Sequence, residues 1–128
     1  MYCLDTYIIL DIFKGDDALK TKIEKINDAV IFISVITLCE LYKGAFAYHD
    51  PENKVKEVDE FINSFNLTIM DENSCREFGK GYSKLKKLGK LIPEFDLILA
   101  SIVKTNNLVL ITKDKKHFEN LGIKVEVW

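Results

Sequence analysis

Three cysteines and two histidines in 128 residues leave little room for several chemistries. Cys3, Cys39 and Cys75 are odd in number and widely spaced, without a CxxC pair or a Cys/His cluster. Neither a disulfide framework nor a zinc site is indicated. No Ser-His-Asp or Cys-His arrangement is evident, so catalysis by an activated side-chain nucleophile has no visible apparatus. Loops of the GxxxxGK[ST] or GxGxxG type are absent, which disfavours a nucleotide enzyme. No uninterrupted apolar stretch is long enough to span a membrane. The N-terminus enters a strand-like segment without the basic region and cleavage site of a signal peptide. Free thiols suit a reducing compartment, and a cytoplasmic protein without a membrane partner is expected. An excess of one charge is missing too: 18 Lys and Arg face 20 Asp and Glu, a net charge of −2. Any nucleic-acid affinity must then rest on local patches.

What is present suits one globular domain spanning residues 1–128, with 48% hydrophobic and 30% charged residues. Tyr2 to Leu4, Ala29 to Ile33, Leu67 to Met70, Leu108 to Thr112 and Ile123 to Trp128 read as short strands, the last at an edge. Between them lie stretches of helical spacing. Ile8, Ile9, Ile12 and Phe13 form one, closed by Gly15. Asp16-Asp17 starts a second, ending near Asn27-Asp28. Ser34 is the expected N-cap of a third, running to about Tyr48. Asp50-Pro51 begins a fourth, with Val55, Val58, Phe61, Ile62 and Phe65 on one face. Asp71 to Leu88 makes a fifth, its inner face assigned to Cys75, Phe78, Tyr82 and Leu85. Gly89 stops it, and Pro93 opens an almost wholly apolar helix through Val103. Lys115 to Leu121 makes a last short helix, ended by Gly122. Cys3 and Cys39, set in apolar runs, are expected to be buried. This alternation predicts an α/β fold: a mostly parallel central sheet with helices on both faces.

Four carboxylates fall where such a fold presents side chains together. Asp5 ends the first strand and Asp114 follows the late one. Glu40 and Asp96 stand near the starts of helices. In open α/β sheets the working crevice lies beyond the carboxyl ends of the strands. Acids converging there repel one another unless a cation holds them, and Mg²⁺ takes oxygen ligands. Such a crevice would be negative and leave the rest of the surface somewhat basic.

The ordered set resembles a known family. Leu4-Asp5-Thr6 at the start, an isolated Glu40 after the second strand, Asp96 ahead of Leu97-Ile98-Leu99-Ala100, and Thr112-Lys113-Asp114 before His117-Phe118 together look like a PIN domain. The similarity is greatest to the VapC-type toxins of toxin–antitoxin pairs and covers essentially the whole chain. The resemblance implies a PIN-like fold and an endoribonuclease dependent on Mg²⁺ or Mn²⁺, commonly homodimeric and inhibited by a cognate antitoxin. Two positions depart from the pattern. Tyr7 replaces the usual Asn or Ser that helps orient the first Asp, and Leu99-Ala100-Ser101 replaces Ile-Ala-Ala.

On this reading Asp5 and Asp96 are direct metal ligands. Glu40 and Asp114 bind a second ion or hold metal-bound water, one of them assisting proton transfer. Thr6 and Thr112 orient the carboxylates. Lys113, Lys115, Lys116 and His117, beside Asp114, are candidate RNA contacts. Lys84, Lys86, Lys87 and Lys90 read more simply as a solvated helix face, and His117 can equally pack beside Phe118. Phe46, Tyr42 and Tyr48 suit core or dimer packing, base stacking, or a groove for an antitoxin helix.

Each acid also has an ordinary alternative. Asp5 and Asp114 suit turns or helix caps. Thr37 and Glu40 stand at capping-box spacing, and Asp96 complements a helix dipole. Two other functions stay open. A receiver-type phosphoacceptor domain would use Asp71 and Lys113, although the acidic pair it needs after the first strand is missing. A catalytically silent RNA- or protein-binding module would need none of the acids.

Overall fold

The computed structural model describes residues 1–26 and 28–128, so the second helix's end at Asn27 lies outside the described residues. Among the described residues there are five strands: β1 (Tyr2–Leu4), β2 (Ile31–Ser34), β3 (Asn66–Thr68), β4 (Val109–Thr112) and β5 (Lys124–Val127). The helices are α1 (Thr6–Phe13), α2 (Asp17–Lys25), α3 (Val35–Phe46), α4 (Pro51–Ile62), α5 (Glu72–Lys87), α6 (Glu94–Thr105) and α7 (Lys115–Phe118). The strands form one sheet in the order β3-β2-β1-β4-β5, and every pairing is parallel. This meets the α/β expectation. It also removes the receiver-type alternative, whose sheets run 2-1-3-4-5.

Central strands of a parallel sheet are covered on both faces, hence their continuous apolar runs. Alternate residues of β1 and β4 enter opposite cores. Leu4 and Ile111 join Ile8, Ile9, Ile33 and Leu41 beneath α1 to α4. Cys3 and Leu110 join Leu99, Ala100, Val103 and Phe118 beneath α6 and α7. Phe118 is 1% exposed. Its truncation to Ala is expected to cost about 3–5 kcal/mol and to unseat the short helix carrying His117.

Caps set the helix starts. The side chains of Ser34, Asp16 and Asp71 accept from the backbone N–H of Thr37, Leu19 and Ser74, respectively. Gly89 and Gly122 end α5 and the α7 turn at φ +65° and +68°, a region that favours glycine.

Several expectations are corrected. Cys39 is exposed rather than buried, because its helix turn faces away from the core. Cys75 is likewise exposed, and Ser74, fully buried, takes the inner position by bonding Asp71 and lying 2.7 Å from Thr105 Oγ1. Phe46 and Tyr48 are exposed rather than packed in the core. β3 is shorter and earlier than expected, since Leu67 and Ile69 lie on an open edge. Among the described residues, no helix is long and apolar enough to cross a membrane.

Candidate active site

β1 is flanked by β2 and β4, and the chain reverses its direction of strand addition between β1 and β4. That switch point is where α/β sheets place their ligands, and Asp5 stands there. Asp5 caps α1: Oδ1 accepts from Thr6 N at 2.7 Å. Its Oδ2 accepts from the Thr112 hydroxyl at 2.6 Å, across the gap between β1 and β4. Capping and site placement are thus compatible, because each uses a different carboxylate oxygen.

Glu40 lies in the second turn of α3, beyond the cap that Ser34 makes. It accepts a hydrogen bond from the Thr6 hydroxyl instead. Thr6 Oγ1 also lies 3.3 Å from Thr37 Oγ1, which lies 3.2 Å from Ser34 Oγ. Thr6, Ser34, Thr37 and Thr112 are all buried. Among the described residues no buried side-chain oxygen or nitrogen lacks a partner. Such a satisfied chain rigidifies a site rather than weakening it. Thr37 was read from the sequence only as a capping-box partner of Glu40; Ser34 makes the cap instead, and the Thr37 hydroxyl belongs to this buried chain.

Asp96 sits in the first turn of α6, and Asp114 caps α7 through Oδ1. The two meet at His117, whose Nδ1 lies 2.7 Å from Asp96 Oδ2 and 3.1 Å from Asp114 Oδ2. An ionised carboxylate only accepts, so the tautomer with a proton on Nδ1 is the one that satisfies both contacts. His117 therefore faces acids rather than packing on Phe118. Asp114 N donates to Thr112 Oγ1 at 3.0 Å, linking this pair back to Asp5.

Electrostatics tie the group together. Burial, above all, raises the Asp5 carboxyl above its usual range. Hydrogen bonds from Thr112 and Thr6 N oppose this, while the charges of Asp96 and Glu40 add to it. Among the described residues, however, no group of three or more His, Cys, Asp or Glu is arranged to hold a metal ion. Asp5 and Glu40 are linked through Thr6, and Asp96 and Asp114 through His117, with Thr112 between the two pairs.

The flanking residues divide. Lys113 pairs with Asp11 on α1; that contact holds the Asp11 carboxyl below its usual range and raises the Lys113 ammonium. Lys115 and Lys116 are exposed. Tyr7 is 66% exposed, and the orienting contacts on Asp5 come from Thr112 and Thr6 N.

An all-parallel sheet in this order, with Asp5 at its switch point, defines an open α/β domain. The PIN domain matches residues 2–124, and the chain belongs to the PIN-domain family, in its VapC group. It is 35% identical over 126 residues to ribonuclease VapC1 of Methanocaldococcus jannaschii, covering 95% of this chain and 84% of that protein. It is 27% identical over 128 residues to ribonuclease VapC2 of Haemophilus influenzae, covering 99% and 97%. The DNA-bound VapBC crystal structure from Salmonella typhimurium superposes with a TM-score of 0.93 at 26% identity, covering 99% of this chain and 97% of that one. The expected family and fold therefore hold.

Proposed function

We infer that the protein is an endoribonuclease that hydrolyses RNA phosphodiester bonds, as the toxin of a VapBC-type toxin–antitoxin pair. The observation that carries this reading is Asp5 at the switch point, with both oxygens held and with Asp96 and Glu40 near enough to raise its pKa. Relatives of nearly the same length are named ribonucleases.

The donor chemistry fits a hard divalent ion. The four candidate ligands offer only carboxylate oxygens, and the mutual repulsion felt at Asp5 is what a cation relieves. Asp5, Glu40, Asp96 and Asp114 would hold Mg²⁺ or Mn²⁺, which when bound supplies an acidified water and charge neutralisation at the phosphate. The chain's own groups do the positioning. Thr112 and Thr6 fix the two oxygens of Asp5, and the Thr6 hydroxyl fixes Glu40. His117 draws Asp96 and Asp114 to one nitrogen. Lys115 and Lys116 remain candidate phosphate contacts, with His117 and Lys113 engaged by acids.

The protein partner is a cognate antitoxin, and the toxin acts in the cytoplasm as a homodimer. Support for a protein partner comes from an apolar cavity of about 380 Å³ between α1, α3 and α4, lined by Leu10, Phe13, Leu41, Tyr48 and Val58.

The test is cleavage of structured RNA by purified protein with Mg²⁺ or Mn²⁺, with EDTA, and with Asp96→Asn. Metal-dependent cutting that is lost in the variant is expected, with Mn²⁺ raising the Tm of the wild type only. Cutting by a well-folded Asp96→Asn variant would sink the site assignment. Neither cutting nor metal binding by the wild type would favour the silent binding module.

A further inference from the structure

The lysines regroup in space in a way that their sequence clusters hide. Two cavities, each of about 300 Å³, adjoin along α5 and share Leu85, Asn120 and Leu121 as a common wall. The inner one begins at His117, whose ring touches Asp96 and Asp114, and is rimmed by Lys90 and Lys116. The outer one continues between α5 and α6, rimmed by Lys80, Lys84 and Lys104. Lys84 and Lys90 belong to one sequence cluster and Lys116 to the other. Lys86 and Lys115 line neither cavity.

The charge of this groove opposes that of the chain. Five lysines line it against Glu77 and Glu119, while the whole protein carries −2. Glu77 is already paired with Lys104. Among the described residues, Lys80, Lys84, Lys90 and Lys116 enter no ion pair. Lys80 and Lys84 stand one helical turn apart, about 6 Å along α5. The floor is apolar, formed by Leu85, Leu97, Ala100 and Leu121. Leu85, Leu97 and Ala100 are each only 3% exposed, so what the groove offers a nucleic acid is the cationic rim that tracks a phosphate backbone.

We propose that this groove is the substrate track, holding the phosphates of single-stranded RNA on one side of the acidic crevice. The proposal rests on the ribonuclease reading and names where its substrate lies. It also gives a reason for the crevice and groove to adjoin: a strand held at Lys80, Lys84 and Lys90 enters the acids past His117. These lysines touch no reacting atom, so they act on binding and register rather than on the chemical step.

The test uses the full chain carrying Asp96→Asn, in EDTA, with a fluorescently labelled single-stranded RNA, read by anisotropy across a salt series. Adding Lys80→Ala, Lys84→Ala and Lys90→Ala together is expected to flatten the slope of log K against log salt by about 2, since each phosphate contact on a single strand contributes about 0.7. A control pair distant in sequence, Lys20→Ala with Lys56→Ala, should leave the slope within error. With the native Asp96, the triple variant should raise KM for cleavage several-fold and leave kcat within about twofold. Circular dichroism verifies folding, as all three side chains are exposed. Equal slopes for the triple and control variants, or no RNA binding by the parent, would overturn the groove. Cleavage by the wild type is scored separately. Its absence with a flattened slope in the triple variant would keep the track and remove the nuclease, and its presence with equal slopes would do the reverse.

Discussion

The Thr112 hydroxyl donates to Asp5 Oδ2 at 2.6 Å, joining residues 107 positions apart in sequence. Thr112 Oγ1 in turn accepts from Asp114 N at 3.0 Å, so a single hydroxyl ties the ends of β1 and β4 to two of the acids. Thr112→Val keeps the shape and deletes the bond. We expect a loss of about 2 kcal/mol in stability, since a buried donor to a charged group goes missing, and a fall in cleavage. Thr112→Ser should restore most of both, as read by denaturant melts and initial rates. A fully active, fully stable Thr112→Val would show that Asp5 does not depend on this contact.

Asp71 caps α5 by accepting from Ser74 N, and its carboxyl is held below the usual range by that bond first and by the Ser74 hydroxyl second. A depressed folded-state pKa adds stability above the unfolded carboxylate's value and loses it as pH falls through the folded one. Asp71→Ala should therefore lower Tm by a few degrees at pH 7. The gap to wild type should close below about pH 4, as thermal melts across pH would record. A gap that widens in acid would contradict the assignment.

Two glycines lie within α5 and should respond unequally to alanine. A Cβ at Gly79 meets nothing within 4 Å, whereas one at Gly81 would sit 3.2 Å from Leu97 Cδ1 on α6. Gly79→Ala should stabilise by about 0.5–1 kcal/mol through helix propensity. Gly81→Ala should forfeit most of that gain by pushing on Leu97. Denaturation midpoints ranked the other way would mean that α5 and α6 sit further apart than described.

The thiols divide by burial. Cys3 is 0% exposed, and its thiol is pushed up to about 12, chiefly by burial and then by the charge of Asp5. Cys39 and Cys75 are exposed. A disulfide exchange reagent should titrate two thiols in the native protein and a third only in guanidinium. Three fast-reacting thiols would show that β1 is accessible.

The sequence by itself determined the order of strands and helices, because period and end signals are local. Short apolar runs bounded by turn signals read as buried strands and the longer one opened by Pro93 as a helix, and Ser34, Asp71 and Gly89 mark boundaries through bonds to residues no more than four positions away. It also named the four acids as candidates: Asp5 and Asp114 follow strands, Asp96 lies in a first helical turn and Glu40 in a second. Side-chain facing was less legible: Cys39 by its apolar run and Cys75 by its helical spacing looked like core residues, but both are exposed. Only the tertiary structure decided how the acids are linked, through Thr6, Thr112 and His117, because those contacts join different elements, 21 to 107 residues apart in sequence. The same holds for the lysines. Lys113, adjacent to Asp114 in sequence, is claimed by Asp11, while Lys80 and Lys84, remote in sequence, line the groove that leads to His117. Local order is written in the chain as periodicity; electrostatic partnership depends on distance, which the parallel sheet sets only when it closes β1 against β4.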